Sequence, residues 1–138
     1  MKNIIAFCAG MITGLELGDN TIAAIITKGL SEISKLCIAM GGEQKTIYGL
    51  TGLGDLIVTC LSEHSRNRRA GILLGQGKTL DEIREQIGMT IESIDNIEIA
   101  YNFYIIEMPV VHEIYKVLFE QKLPEEAISD LMGRKENL

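Results

Sequence analysis

The chain has 138 residues, a formal net charge of −6 and 46% hydrophobic residues. That length suits one domain with a sizeable core, and the apolar fraction excludes a disordered segment. The acidic balance argues against nucleic acid or an anionic membrane as a main partner.

With aromatic residues at 5% and no Trp, the core must come from Leu, Ile, Val, Met and Ala. Residues 3–17 read as a helix, apolar at Ile4, Phe7, Cys8, Met11 and Leu15. Ala6, Ala9, Gly10 and Gly14 leave another side small, so a neighbouring helix can come close. A helix apolar on most sides is a central one. Asn3 is the only capping candidate at its start, and capping there would leave Lys2 outside the helix. Gly18 is expected to end it, with Asp19 and Asn20 in the turn. Residues 21–40 read as a second, long helix, with Lys28, Glu32 and Lys35 marking its outer face. Gly41 and Gly42 stop it, and a turn around residues 45–48 follows.

Residues 49–71 then read GLTGLGDLIVTCLSEHSRNRRAG. Beyond them a helix over 66–74 breaks at Gly75-Gln76-Gly77. Thr79 and Glu82 fit a capping box for a helix over 80–87, ended by Gly88. Residues 91–106 are helical in pattern, with Ile94, Ile97 and Tyr101 inward. Pro109 starts a helix over 110–120, and Pro124 starts the last, with Glu125 and Glu126 in its first turn. No strand alternation, repeat or linker is visible. The pattern is all-α, a single globular domain of about seven or eight packed helices.

Several signals fail. The glycines at 49, 52 and 54 have the wrong spacing for a dinucleotide fingerprint and no strand before them. Gly77-Lys78-Thr79 imitates the end of a phosphate loop but follows a helix, and Ile72 stands where the first glycine should be. Cys8, Cys37 and Cys60 have no paired spacing, so buried free thiols in a reducing cytoplasm are expected, with no metal site. His112 lacks the second histidine of a zinc helix and is expected to be solvated. The uncharged run over 3–15 is too short to span a bilayer, and no signal peptide is evident.

The chemistry concentrates in residues 49–71. Asp55 and Thr59 are four apart, so on a helix they share a face and suit a polyhydroxylated ligand. Ser65 is a favoured N-cap, and a helix N-terminus attracts anions. Arg66, Asn67, Arg68 and Arg69 add charge and fork-shaped donors there. Together they suggest a small phosphorylated polyol. The plainer reading is a capping serine and a solvated basic face. His64, just before Ser65, could line the same pocket.

GLTGLGDLIVTC followed by SRNRRAGILLGQGK resembles the C-terminal domain of bacterial NAD(P)-dependent glycerol-3-phosphate dehydrogenases. So do Lys2-Asn3-Ile4-Ile5-Ala6, Gly14-Leu15-Glu16-Leu17-Gly18-Asp19-Asn20, Ile91-Glu92 and Glu107-Met108-Pro109, in order along the chain. The resemblance implies a 6-phosphogluconate-dehydrogenase C-terminal-domain-like fold. It implies sn-glycerol 3-phosphate and dihydroxyacetone phosphate as substrates, and NAD or NADP as cofactor. By it, Lys2 is the proton-accepting residue. Lys2, Asp55, Thr59, Ser65, Arg66 and Asn67 correspond to substrate-binding positions, and Arg66, Thr90 and Glu92 to cofactor contacts. Ser93 stands where the family usually has glycine, and the helix before Glu107 looks about one turn short. The resemblance further implies a nucleotide-binding domain before this one, absent from this chain, so that the chain alone is expected to be inactive. A homodimer is left open. The alternative is a non-catalytic helical assembly or dimerisation module.

Overall fold

The computed structural model describes residues 2–39, 41, 54, 57–58, 60–62, 65–101 and 108–133; for residues 2, 36, 37, 39, 96 and 98–100 it describes the backbone only. Within those residues the chain forms α1 (Lys2–Gly14), α2 (Asp19–Ala39), α3 (Arg66–Gly75), α4 (Leu80–Ile87), α5 (Glu92–Tyr101), α6 (Pro109–Phe119) and α7 (Pro124–Gly133). No strand occurs among the described residues. The all-α expectation therefore holds. The turn near residue 45 and the end of the helix predicted over 91–106 lie outside the described residues.

α1 is the axis. Its side chains from Ile4 to Ile12 are buried on nearly every side, and it packs against α2, α3, α5 and α6. One layer of core joins Ile4, Phe7, Met11 and Ile12 to Ile83, Ile94, Ile97, Ile114 and Leu131. A second, smaller cluster sets Ile5, Ala6 and Ala9 against Cys60. The core is aliphatic, as the scarcity of aromatics requires.

The closest packing is between α1 and α3. A Cβ on Gly71 would lie 1.9 Å from the Phe7 carbonyl oxygen, and one on Gly10 would lie 2.0 Å from that of Arg68. Gly14 and Gly75 meet the Ile72 and Met11 carbonyl oxygens at 2.3 and 2.5 Å in the same sense. Each helix thus carries a Gly-x-x-x-Gly pair, and the two backbones touch without side chains between them. Positions later in α1 meet positions later in α3, so the helices run parallel and begin side by side.

Four local expectations need correction. α1 ends at Gly14, a turn before Gly18, and α2 begins at Asp19. The end is closed by amides of Glu16 and Leu17 donating to the carbonyls of Thr13 and Ile12, with Glu16 in the left-handed region. Asn3 does not cap α1; it lies inside the helix, which starts at Lys2. Glu32 is not on an outer face but 3% exposed. Its carboxylate accepts from the amides of Val110 (2.8 Å) and Val111 (3.5 Å). The physical reason lies in α6: Pro109 fills its first position and Met108 offers no capping side chain, so those amides need an acceptor from elsewhere. His112 is half-buried, its ring edge-on to Tyr101.

The two ends of α4 follow the sequence closely. Thr79 and Glu82 form the capping box of α4, and Gly88 ends it in the left-handed conformation. Glu113 is fully buried on α6 and accepts from Lys122 at 2.5 Å. Lys122 also reaches Asp130 on α7, and these two carboxylates hold its ammonium above the ordinary lysine range. Cys8 and Cys60 are buried free thiols. Burial pushes Cys60 up to about 11, and burial with the nearby Glu32 charge pushes Cys8 higher still. The side chain of Cys37 lies outside the described residues. No helix among those residues is long and apolar enough to cross a membrane, and none of their side chains cluster as metal ligands.

Candidate functional site

Because α1 and α3 are parallel and in contact, their N-termini open at one end of the molecule. α5 joins them there. Asn3, in the first turn of α1, donates through Nδ2 to Glu92 Oε2 at 2.5 Å. Ser93, next in the first turn of α5, donates its amide to Asn67 Oδ1 in α3 at 2.8 Å. Three first turns are thereby tied together: α1 to α5, α5 to α3, and α3 to α1 through the glycine seam.

At α3 the local sequence sets the geometry. Ser65 is extended (φ −68, ψ 118), and its hydroxyl oxygen accepts from the Arg68 amide at 3.2 Å. The amides of Arg66 and Asn67 fall in the first turn and have no intrahelical acceptor. Asn67 is buried, and its oxygen is committed to Ser93. Its Nδ2 is therefore the group left to donate. The Arg66 guanidinium contacts the sulfur of Met89 at 3.7 Å and makes no ion pair among the described residues. Arg68 is half-buried and Arg69 exposed.

Charge separates this end from the other helix starts. The first turns of α2, α4, α5 and α7 carry their own carboxylates. That of α6 receives Glu32. Only α1 and α3, among the described residues, begin with no carboxylate in or on their first turns beyond the Glu92 drawn to Asn3. At the start of α3 the dipole end and the arginines meet no first-turn carboxylate, which suits an anion.

The sequence-derived residues fall as follows. Ser65, Arg66 and Asn67 form the start of α3. Thr90 is exposed in the loop before α5 and lines a shallow depression with Arg84, Gly88, Met89, Ile91 and Asp95. Glu92 is exposed at the first position of α5. The Arg66–Met89 contact brings the start of α3 to the Thr90 loop. Lys2 opens α1, its side chain outside the described residues. Asp55, Thr59 and His64 also lie outside them. Sequence reasoning gave neither Asn3 nor the Ser93 amide a place in the site. The pairing of Asn3 with Lys2 at the very start of a central helix was the available signal. The Ser93 hydroxyl is buried without a hydrogen-bond partner among the described residues.

The sequence over residues 1–129 matches the family described as NAD-dependent glycerol-3-phosphate dehydrogenase C-terminus. The chain belongs to that family. It is 56% identical to the glycerol-3-phosphate dehydrogenase [NAD(P)+] of Fusobacterium nucleatum, over all of this chain and 42% of that protein. It is 52% identical to that of Agathobacter rectalis, over 97% of the chain and 41% of that protein. The crystal structure of glycerol-3-phosphate dehydrogenase from Coxiella burnetii superposes with a TM-score of 0.92 at 41% identity, over 96% of this chain and 42% of that one. The chain therefore spans well under half the length of the relatives it matches. Within this glycerol-3-phosphate dehydrogenase domain, the end where α1, α3 and α5 begin is the candidate site.

Proposed function

We propose that this chain is the substrate-binding and catalytic half of an NAD(P)-dependent glycerol-3-phosphate dehydrogenase. One observation carries the reading: two adjacent, parallel helices begin at one end without carboxylates of their own, beside Arg66 and an Asn67 amide oriented to donate. The family membership supports the same reading.

In it, the phosphate of sn-glycerol 3-phosphate or dihydroxyacetone phosphate sits at the start of α3. The amides after Ser65, the Arg66 fork and Asn67 Nδ2 bind it. Asp55 and Thr59 hold the hydroxyl end. Lys2 takes the proton from the C2 hydroxyl as the C2 hydrogen leaves with its electron pair, giving the ketone; in reverse it protonates the carbonyl oxygen. For this Lys2 must be neutral during oxidation, which needs a pKa lowered by burial or by nearby cations. The donor set also fits one edge of an anionic dinucleotide: Arg66 makes no ion pair among the described residues, and Thr90 and Glu92 lie exposed beside it. When bound, NAD(P) supplies the hydride acceptor or donor. Its pyrophosphate is held mainly by a nucleotide-binding domain outside these residues, so the chain alone is inactive.

The setting of this reading is cytoplasmic. Ile57, Val58 and Leu61 are exposed apolar side chains on one short stretch, which favours a covered face there, by the nucleotide-binding half or by a second copy in a homodimer.

The test is titration of the purified chain with sn-glycerol 3-phosphate, followed by NMR. Arg66→Ala is expected to weaken binding by about 1.5–3 kcal/mol, the scale of a charged hydrogen bond. Equal binding by parent and variant would move the phosphate elsewhere.

A further inference from the structure

We propose that Asn3 is a positioning residue of the active site, acting through Glu92. The proposal rests on the substrate-half reading above. The first-turn amides of α1 have no intrahelical acceptor. A helix start is held in place by ties to the rest of the fold. The described tertiary hydrogen bond from that first turn is the one from Asn3 to Glu92, joining residues far apart in the chain. Asn3 is half-buried and adjoins Lys2 in sequence, so whatever fixes Asn3 fixes the backbone that carries the lysine. The partner is well chosen electrostatically. Drawing the Glu92 carboxylate to the start of α1 sets a negative charge against a positive dipole end.

The same first turn of α5 also holds Asn67, through the Ser93 amide. α5 is thus a common anchor. It sets the start of α1, which carries the base, and the start of α3, which carries the phosphate site, relative to each other. Asn3 is the link on the α1 side.

The test is a double-mutant cycle on this chain, read as affinity for sn-glycerol 3-phosphate by NMR titration. Asn3→Ala is expected to weaken binding roughly 3- to 10-fold, the scale of one hydrogen bond. In a Glu92→Ala background the same change is expected to be silent. Helical circular dichroism and the thermal midpoint should stay near the parent's, which a purely structural role would not allow together with the binding loss. Asn3→Leu, which keeps volume without the donor, should repeat the result if Asn3→Ala folds poorly. Equal weakening in both backgrounds would mean that Asn3 acts on the ligand directly, and the Glu92 route would be overturned. No weakening in either would overturn it as well. Failure of the parent chain itself to bind sn-glycerol 3-phosphate would instead sink the substrate-half reading.

Discussion

The seam between α1 and α3 and the end where α1, α3 and α5 begin are built on opposite terms. In the seam, four glycines let two backbones meet with nothing between them. At the end, contact is made by a few directed hydrogen bonds, and some polar groups stay unsatisfied. Among the described residues, the Arg66 guanidinium meets only the sulfur of Met89, and Ser93 Oγ finds no hydrogen-bond partner. The seam supplies the rigidity that lets the end keep unpaired donors. Unpaired donors are what a ligand site needs, and a core does not tolerate them.

This contrast can be broken most directly at the seam. Gly71→Ala would drive a methyl group into the Phe7 carbonyl, with backbone on both sides and no flexible side chain to yield. A loss of about 3 kcal/mol or more is expected, at or above the usual range for overpacking. Against a total of about 5–15 kcal/mol, chemical denaturation should show a sharply lowered midpoint. A variant as stable as the parent would mean that the helices do not touch here.

Glu32→Ala comes next. It removes a buried carboxylate and orphans the amides of Val110 and Val111. A destabilisation of about 1.5–3 kcal/mol is expected by denaturant titration. Helix α6 would be the part to loosen first, seen as faster amide exchange at its start.

The smallest effect is expected at the ligand end. Ser93→Ala removes a buried hydroxyl with no partner among the described residues, while the backbone amide that holds Asn67 remains. The change should be neutral or stabilising by up to about 1 kcal/mol, because an unsatisfied polar group is lost. A clear loss of stability would show that the hydroxyl has a partner and that this end is less open than described.

Much of the fold is readable from residue order because it is set locally. Thr79 with Glu82, Gly88, Pro109 and Pro124 mark their helix ends by their own chemistry. Ser65 likewise announces the start of α3. Glu32 could not be read this way. Lys28, Glu32 and Lys35 make a polar stripe that looks solvated, and only the arrival of α6 gives the carboxylate a buried partner. A hint did exist: Glu107-Met108-Pro109 begins a helix with no side chain able to cap it. Similarly, the small face of α1 was legible, but its mate was not. Gly71 and Gly75 repeat the spacing of Gly10 and Gly14, yet Gly75 also looks like a helix terminator, and that role hides the other. At the candidate site, residue types pointed to an anion at Ser65–Asn67. The ties from Asn3 to Glu92 and from Ser93 to Asn67 depend on three-dimensional placement, and no periodicity encodes them.

The parallel seam also bears on how the chain folds. Its contacts join residues roughly sixty positions apart, so they close a large loop and add to the contact order. Antiparallel neighbours such as α6 and α7, joined by a short connection, can form early and quickly. The α1–α3 pairing must wait for α2 and the stretch after it to turn the chain back to its starting end. Until then Gly10 and Gly14 leave a bare groove on an apolar helix. The slowest step in folding should be the closing of that groove, and it is the step that assembles the ligand end.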